Sequence, residues 1–135
     1  MTEGRSQLPE GFDIEILDPN IETYFEPSYQ SSKFTIASVI GNLFFYRSGT
    51  DPDQKENQVD AFQEGVVITA AIPPEISDHP LAKIRGIENL RVGYLDERLN
   101  QWVPFQYQTL DLEAQTVTVR FNFWIKDPNV GWGFL

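Results

Sequence analysis

The chain has 135 residues, which is enough for one hydrophobic core and too few for two. Hydrophobic residues make up 41% of it, and 10 Phe, 5 Tyr and 3 Trp add enough apolar surface to exclude wholesale disorder. The net charge of −10 repels nucleic acid and anionic lipid, and the lack of cysteine excludes disulfides, thiolate zinc sites and cysteine nucleophiles. No apolar run approaches the roughly 18 residues of a membrane-spanning helix, so we expect no membrane insertion.

The N-terminal part divides into an irregular segment and a first strand. Residues 1–11 mix charge, Gly and Pro without periodicity, which predicts a flexible N-terminal segment ahead of a single domain over residues 12–135. In Phe12–Ile16 apolar and acidic residues alternate, as in a strand with one buried face. The apolar stretch 33–46 is interrupted by Gly41 and Asn42, which indicates either a tight turn or a bulge.

Residues Ser48–Gln58 are polar and predict a surface loop. Asp51, Asp53 and Glu56 are weak candidates for calcium ligands, because carboxylate oxygens at short spacing suit a hard cation. Pro52 constrains the loop and no glycine stands at the turn position of a calcium loop, so the sequence favours a solvated acidic loop without metal.

The middle of the chain predicts a buried strand over Val66–Ile72, which Pro73 and Pro74 end because proline cannot donate to a ladder. One short helix is expected near Pro80–Ile84, with Asp78 as its cap and with Ile84 and Ile87 facing the core. The only histidine, His79, stands in this turn and is interpreted as a surface cap residue rather than a member of a catalytic triad.

The second half predicts a hairpin and a long strand. Leu90–Leu95 and Gln101–Phe105 flank a turn, and Trp102 is expected in the core. Thr116–Ile125 alternates most cleanly, which places Val117, Val119, Phe121, Phe123 and Ile125 on the buried face and Trp124 on the opposite face. About seven short strands with frequent turns predict an all-β fold, an antiparallel β-sandwich of immunoglobulin-like kind with at most one short helix; a barrel is the alternative.

The order of elements from Val66 onward carries a resemblance. A strand ending in Ile72 and Pro73 precedes a hairpin with Trp102, Val103 and Pro104 and a Val- and Thr-rich strand over 111–119. This order resembles the β-sandwich domains of bacterial surface proteins and, more distantly, the sandwich shared by ankyrins, netrin receptors and zonula occludens proteins. The resemblance implies a passive interaction or spacer module, and the self-cleaving His-Phe-Ser sequence of some relatives has no counterpart in this chain.

Three aromatics near the C terminus are the candidate binding residues: Trp124, Trp132 and Phe134. Their pattern predicts either an exposed surface or a tail that folds back over the end of the sandwich. We expect a non-catalytic protein-interaction or structural module that docks a protein partner or a second copy of itself, without a cofactor. A carbohydrate-binding module is the alternative, and a hydrolase is a third, weaker possibility because none of the acidic residues stands out. The expected compartment is the cytoplasm if Met1 is the native start and the cell surface if the chain is an excised domain.

Overall fold

The computed structural model describes residues 8, 10–26, 37–96, 98–99, 101–124 and 129–135. These residues form two antiparallel sheets, which confirms the predicted all-β sandwich over the alternative barrel. The described elements number nine strands rather than about seven, and two short helices rather than at most one. They are β1 (Phe12–Ile16), β2 (Ile21–Glu26), β3 (Ser38–Arg47), β4 (Ala61–Ala71), α1 (Pro74–Ser77), α2 (Pro80–Arg85), β5 (Leu90–Asp96), β6 (Gln101–Pro104), β7 (Gln108–Asp111), β8 (Thr116–Phe123) and β9 (Asn129–Phe134).

The first sheet has four strands in the order β1-β4-β8-β7. Its strands alternate as period 2 requires, and the inward side chains of Val66, Ile68, Val117 and Val119 have no exposed surface. Thr69 and Thr118 are paired on the opposite face. The apolar side of this sheet therefore supplies one wall of the core, and its outer side is polar.

The second sheet has five strands in the order β2-β3-β9-β5-β6. Its central strand, β9, pairs with β3 on one side and with β5 on the other. Leu43 and Phe45 of β3 and Leu90 and Val92 of β5 face the core beside it. The C-terminal residues of the chain thus lie in the middle of a sheet.

Gly41 marks a bulge within β3. The register to β9 shifts between Val39 and Gly41, and Gly41 has a φ of +149°. A Cβ at this position would overlap the ring of Phe25, so the residue must be glycine for β2 and β3 to approach each other. Of the two predicted possibilities, the bulge is correct and the turn is wrong.

The helix predicted near residue 80 exists as α2, and its cap differs from the prediction. His79, rather than Asp78, is the N-cap, and its Nδ1 accepts a hydrogen bond from the Leu81 N–H at 3.0 Å. The proline that follows sets this boundary, because it disfavours helical geometry at the preceding residue. Ile87 packs against the core as predicted, but Ile84 is 76% exposed because the six-residue helix turns only one side to the sandwich.

The segment before β1 is partly attached to the sandwich. Leu8 packs against the core, and the Gly11 carbonyl accepts a hydrogen bond from Ala71 N–H at 2.7 Å. Residues 1–7 and 9 of the predicted flexible segment lie outside the described residues. Among the residues that are described, no helix is long and apolar enough to cross a membrane.

Candidate binding surfaces

The three aromatics predicted to meet a partner are buried. Trp124, Trp132 and Phe134 expose only 6%, 3% and 9% of their surface, and all three belong to the hydrophobic core. The prediction that they form an exposed docking or sugar-stacking surface is therefore wrong. Trp124 is buried for one structural reason, and Trp132 and Phe134 share another.

Trp124 is buried because the alternation of β8 ends before it. Phe121 points inward as predicted, but both Asn122 and Phe123 are exposed and Trp124 then turns into the core. Its indole Nε1 donates a hydrogen bond to the Leu43 carbonyl at 2.9 Å, so the polar edge of the ring is satisfied inside the sandwich. Ile125, which was expected on the buried face together with Phe121 and Phe123, lies outside the described residues.

The change of phase has its origin in β4. Between the pairs Val66 with Phe121 and Ala61 with Phe123, β4 advances by five residues while β8 advances by two. This bulge between the two inner strands of the sheet re-aims the end of β8. The Trp124 N–H then donates to the Asp60 carbonyl at 2.8 Å. Nothing in the alternation of residues 116–125 reveals an irregularity in the neighbouring strand.

β9 buries the other two aromatics by regular alternation. Val130, Trp132 and Phe134 point into the core, while Gly131 and Gly133 occupy the outer face of the sheet. The alternation is visible in the sequence, but the two glycines suggest a flexible tail rather than a strand. Gly133 lies under the indole of Trp102, where a Cβ would come within 2.7 Å of the ring.

The bulge of β4 is held by Asp18 from the β1–β2 turn. Its carboxylate accepts hydrogen bonds from three successive backbone N–H groups, those of Gln63 at 2.5 Å, Glu64 at 2.7 Å and Gly65 at 2.9 Å. Partial desolvation raises the pKa of Asp18, but the three hydrogen bonds outweigh it and hold the pKa below its ordinary value. Asp18 therefore fixes the irregular part of β4 by a charge-assisted contact.

An aromatic cluster lies behind this end of β8. The ring centroid of Trp124 is 4.6 Å from Phe121, 5.3 Å from Phe45 and 5.6 Å from Phe105. Phe62 joins the cluster, 5.1 Å from Phe45. These contacts anchor the last residues of β8 on a close-packed base.

Phe123 is the residue that this arrangement leaves in water. It was predicted to be buried, yet it is 78% exposed and pairs with Ala61, which is itself exposed. Asp60, the residue before Ala61, is also exposed. We call Phe123, Ala61 and Asp60 the Phe123 surface; these three exposed residues lie beside the packed aromatic cluster.

Trp102 occupies the outer face of the five-stranded sheet instead of the core. It pairs with Leu95 across the β5–β6 hairpin and is partly buried. Its indole lies over Gly133, where an added Cβ would come within 2.7 Å of the ring, and over Gly93. The Nε1 atom donates to the Gly131 carbonyl at 3.3 Å. The hairpin is as predicted, but a core position for Trp102 is wrong because its strand turns it to the other side.

The acidic loop and the histidine show no convergent site. Asp51 uses its Oδ1 to accept the Asp53 N–H at 3.0 Å, the geometry of a local turn. Asp51, Asp53 and Glu56 do not come together, and among the described residues no three His, Asp or Glu side chains could hold one metal ion. His79 is used as a helix cap, as the sequence indicated.

Comparison with known proteins found no family model, no curated protein and no solved structure that matches the chain. The resemblance to surface-protein sandwiches therefore stays a prediction.

Proposed function

We propose that the chain is a non-catalytic protein-interaction module that docks a protein partner through the Phe123 surface. The observation that carries the proposal is the 78% exposure of Phe123 on a strand whose next residue is buried. Apolar area in water is unfavourable by about 25 cal/mol per Å², so a large exposed ring supported by a packed cluster is a typical anchor for a partner. The immunoglobulin-like description of the sandwich is part of the same proposal.

The simplest partner is a second copy of the chain. Two Phe123 rings could cover each other in a symmetric contact, because a twofold interface uses the same patch on both subunits. The net charge of −10 opposes such a contact at low salt, so self-association should strengthen as ionic strength rises. A basic partner would show the opposite dependence on salt.

Replacement of the exposed ring tests the proposal. In sedimentation, the intact chain should self-associate and the Phe123→Ser variant should not. If the intact chain is monomeric, it should capture a specific partner from the source cell that Phe123→Ser fails to capture. Ile84→Ser is the matched control, because Ile84 is 76% exposed on α2. The proposal is wrong if Phe123→Ser and Ile84→Ser behave alike in both measurements.

Trp102 supports a second candidate, carbohydrate binding. A partly buried indole that lies flat on the outside of a sheet offers one face to a ligand, and sugar rings stack on such faces. A glycan array would test this candidate: binding that disappears in Trp102→Ala and persists in Phe123→Ser would favour it over the protein-docking proposal.

A further inference from the structure

Trp102 lies face-on against the outer side of the five-stranded sheet. A Cβ added to Gly133 would lie 2.7, 2.8 and 2.9 Å from three atoms of the indole, so the plane of the ring faces that residue. A Cβ on Gly93 would come within 2.7 Å of the same ring, and the Gly131 carbonyl accepts the Nε1 hydrogen bond at 3.3 Å. We call Trp102 together with these three glycines the Trp102 platform.

The platform leaves one side of the indole for a ligand. Trp102 is half-buried, and the glycines cover the inner face of its ring. The exposed part of the side chain therefore belongs to the outward face and the edge of the ring. A flat apolar face of this kind can stack on the C–H face of a sugar ring.

A cation borders the platform. Arg91 is the cross-strand partner of Gly133, and it points to the same side of the sheet as Gly93 because residues i and i+2 of a strand share a face. Side chains of directly paired residues begin about 4.5–5.5 Å apart. The side chain of Arg91 thus starts beside the benzene end of the Trp102 indole, which lies over Gly133.

Main-chain groups hold the guanidinium of Arg91. Its Nη1 donates hydrogen bonds to the carbonyls of Glu88 at 3.0 Å and of Leu90 at 2.7 Å. The carboxylate of Glu88 lies against Gly86 instead. Within the described part of the chain, no carboxylate pairs with Arg91, and its Nε and Nη2 make no hydrogen bond.

The unused side of this guanidinium indicates the charge of the ligand. The Nε and Nη2 groups of an arginine point the same way, and this fork binds both oxygens of a carboxylate with parallel hydrogen bonds. Arg91 is half-buried, and a partly desolvated charge is stabilised by a partner. The chain has 20 acidic residues, yet none of those described fills this position, so an external carboxylate fits it.

We propose that the Trp102 platform binds an acidic sugar, a uronic acid unit of a polysaccharide. Its ring stacks on the indole of Trp102, and its carboxylate accepts two hydrogen bonds from Arg91. A uronic acid carries both groups in one unit, as the adjacent ring and cation require. The inference rests on the carbohydrate-binding candidate and names its ligand; it does not depend on docking through the Phe123 surface.

Short oligosaccharides of galacturonate and of mannuronate are the probes, each as the free acid and as the methyl ester. Esterification removes the charge and keeps the sugar ring. In calorimetry, the full chain should bind at least one acid about tenfold more tightly than its ester, because only the acid forms the charged contact. Tryptophan fluorescence should change on binding through Trp102, since Trp124 and Trp132 are buried.

Variants of the two binding residues separate stacking from charge recognition. Trp102→Ala should lose binding of acid and ester alike, and Trp102→Phe, which keeps a ring, should recover part of it. Arg91→Gln should bind the ester like the intact chain and lose the preference for the acid. If Arg91 only stabilised the strand, both ligands would be affected equally. Arg120→Gln is the matched control, because it removes one exposed cation from the other sheet and should keep the preference.

The outcomes separate this inference from the candidate on which it rests. Equal binding of acid and ester, both lost in Trp102→Ala, would overturn the acidic ligand and support a neutral sugar. Absence of binding by every probe would overturn both. A preference for the acid that survives in Arg91→Gln, or acid binding that survives in Trp102→Ala, would also overturn the inference. Phe123→Ser should bind the acid like the intact chain.

Discussion

The last two strands, β8 and β9, show how differently a sequence pattern and its burial can be related. β8 has the clearest alternation of the chain, yet the alternation fails at its end, where Phe123 is exposed and Trp124 is buried. β9 contains two glycines among six residues, yet all six are buried at the centre of a sheet. A regular alternation predicts a strand, but the neighbouring strands determine which residues of that strand are buried.

Among the changes that test this comparison of β8 with β9, deletion of residues 131–135 should destabilise the chain most. The deletion removes most of β9, so β3 and β5 lose the strand that joins them and the core loses Trp132 and Phe134. We expect the truncated chain to lose cooperative unfolding in a circular dichroism melt. A cooperative transition near that of the intact chain would show that the C-terminal residues are peripheral.

Adjacent aromatic residues at the end of β8 should differ strongly. Trp124→Ala should lower the free energy of unfolding by about 3–5 kcal/mol, since it removes a large side chain from the aromatic cluster. Phe123→Ala should change it by less than about 0.5 kcal/mol, the usual range for exposed positions. Urea unfolding of the two variants measures the difference, and the phase change is contradicted if Phe123→Ala is the more damaging of the two.

The glycines of β9 should matter through Trp102. Gly133→Ala should destabilise the chain by about 1–3 kcal/mol, because its Cβ would come within 2.7 Å of the indole. In a Trp102→Ala background the same substitution should cost much less, since the overlapping ring is gone. A double-mutant cycle in urea measures this coupling. Additive effects would mean that the glycine is required for another reason.

Asp18 should make a smaller, pH-dependent contribution to the end of β8. Its pKa is held below the ordinary value of 3.8, so its stabilising effect is complete above that pH and is lost as the pH falls through the lowered pKa of the folded chain. Asp18→Asn should therefore be less stable than the intact chain near neutral pH, and the difference should shrink under strongly acidic conditions. Urea midpoints across this pH range provide the measurement, with Asp13→Asn as an exposed control on β1. A difference that stays constant with pH would contradict the role of the charge.

The local sequence pattern was sufficient to predict much of the fold. Alternation predicted β1, the hairpin of β5 and β6, and the inward residues of β8 as far as Phe121, because period 2 reports directly on which side chains share a face. Proline placed the end of β4 by removing a backbone donor, and it placed the start of α2 by disfavouring helical geometry at the residue before it. The sequence alone thus determined that the chain is an all-β protein of short strands, and the two separate sheets of the structure decided for the sandwich over the barrel.

The candidate sites depended on tertiary structure. Exposure of Phe123 follows from the bulge in β4. Burial of Trp132 and Phe134 follows from the central position of β9. The physical reason is the same in each case: pairing between distant strands sets register, and a shift in register changes which side chains reach the core.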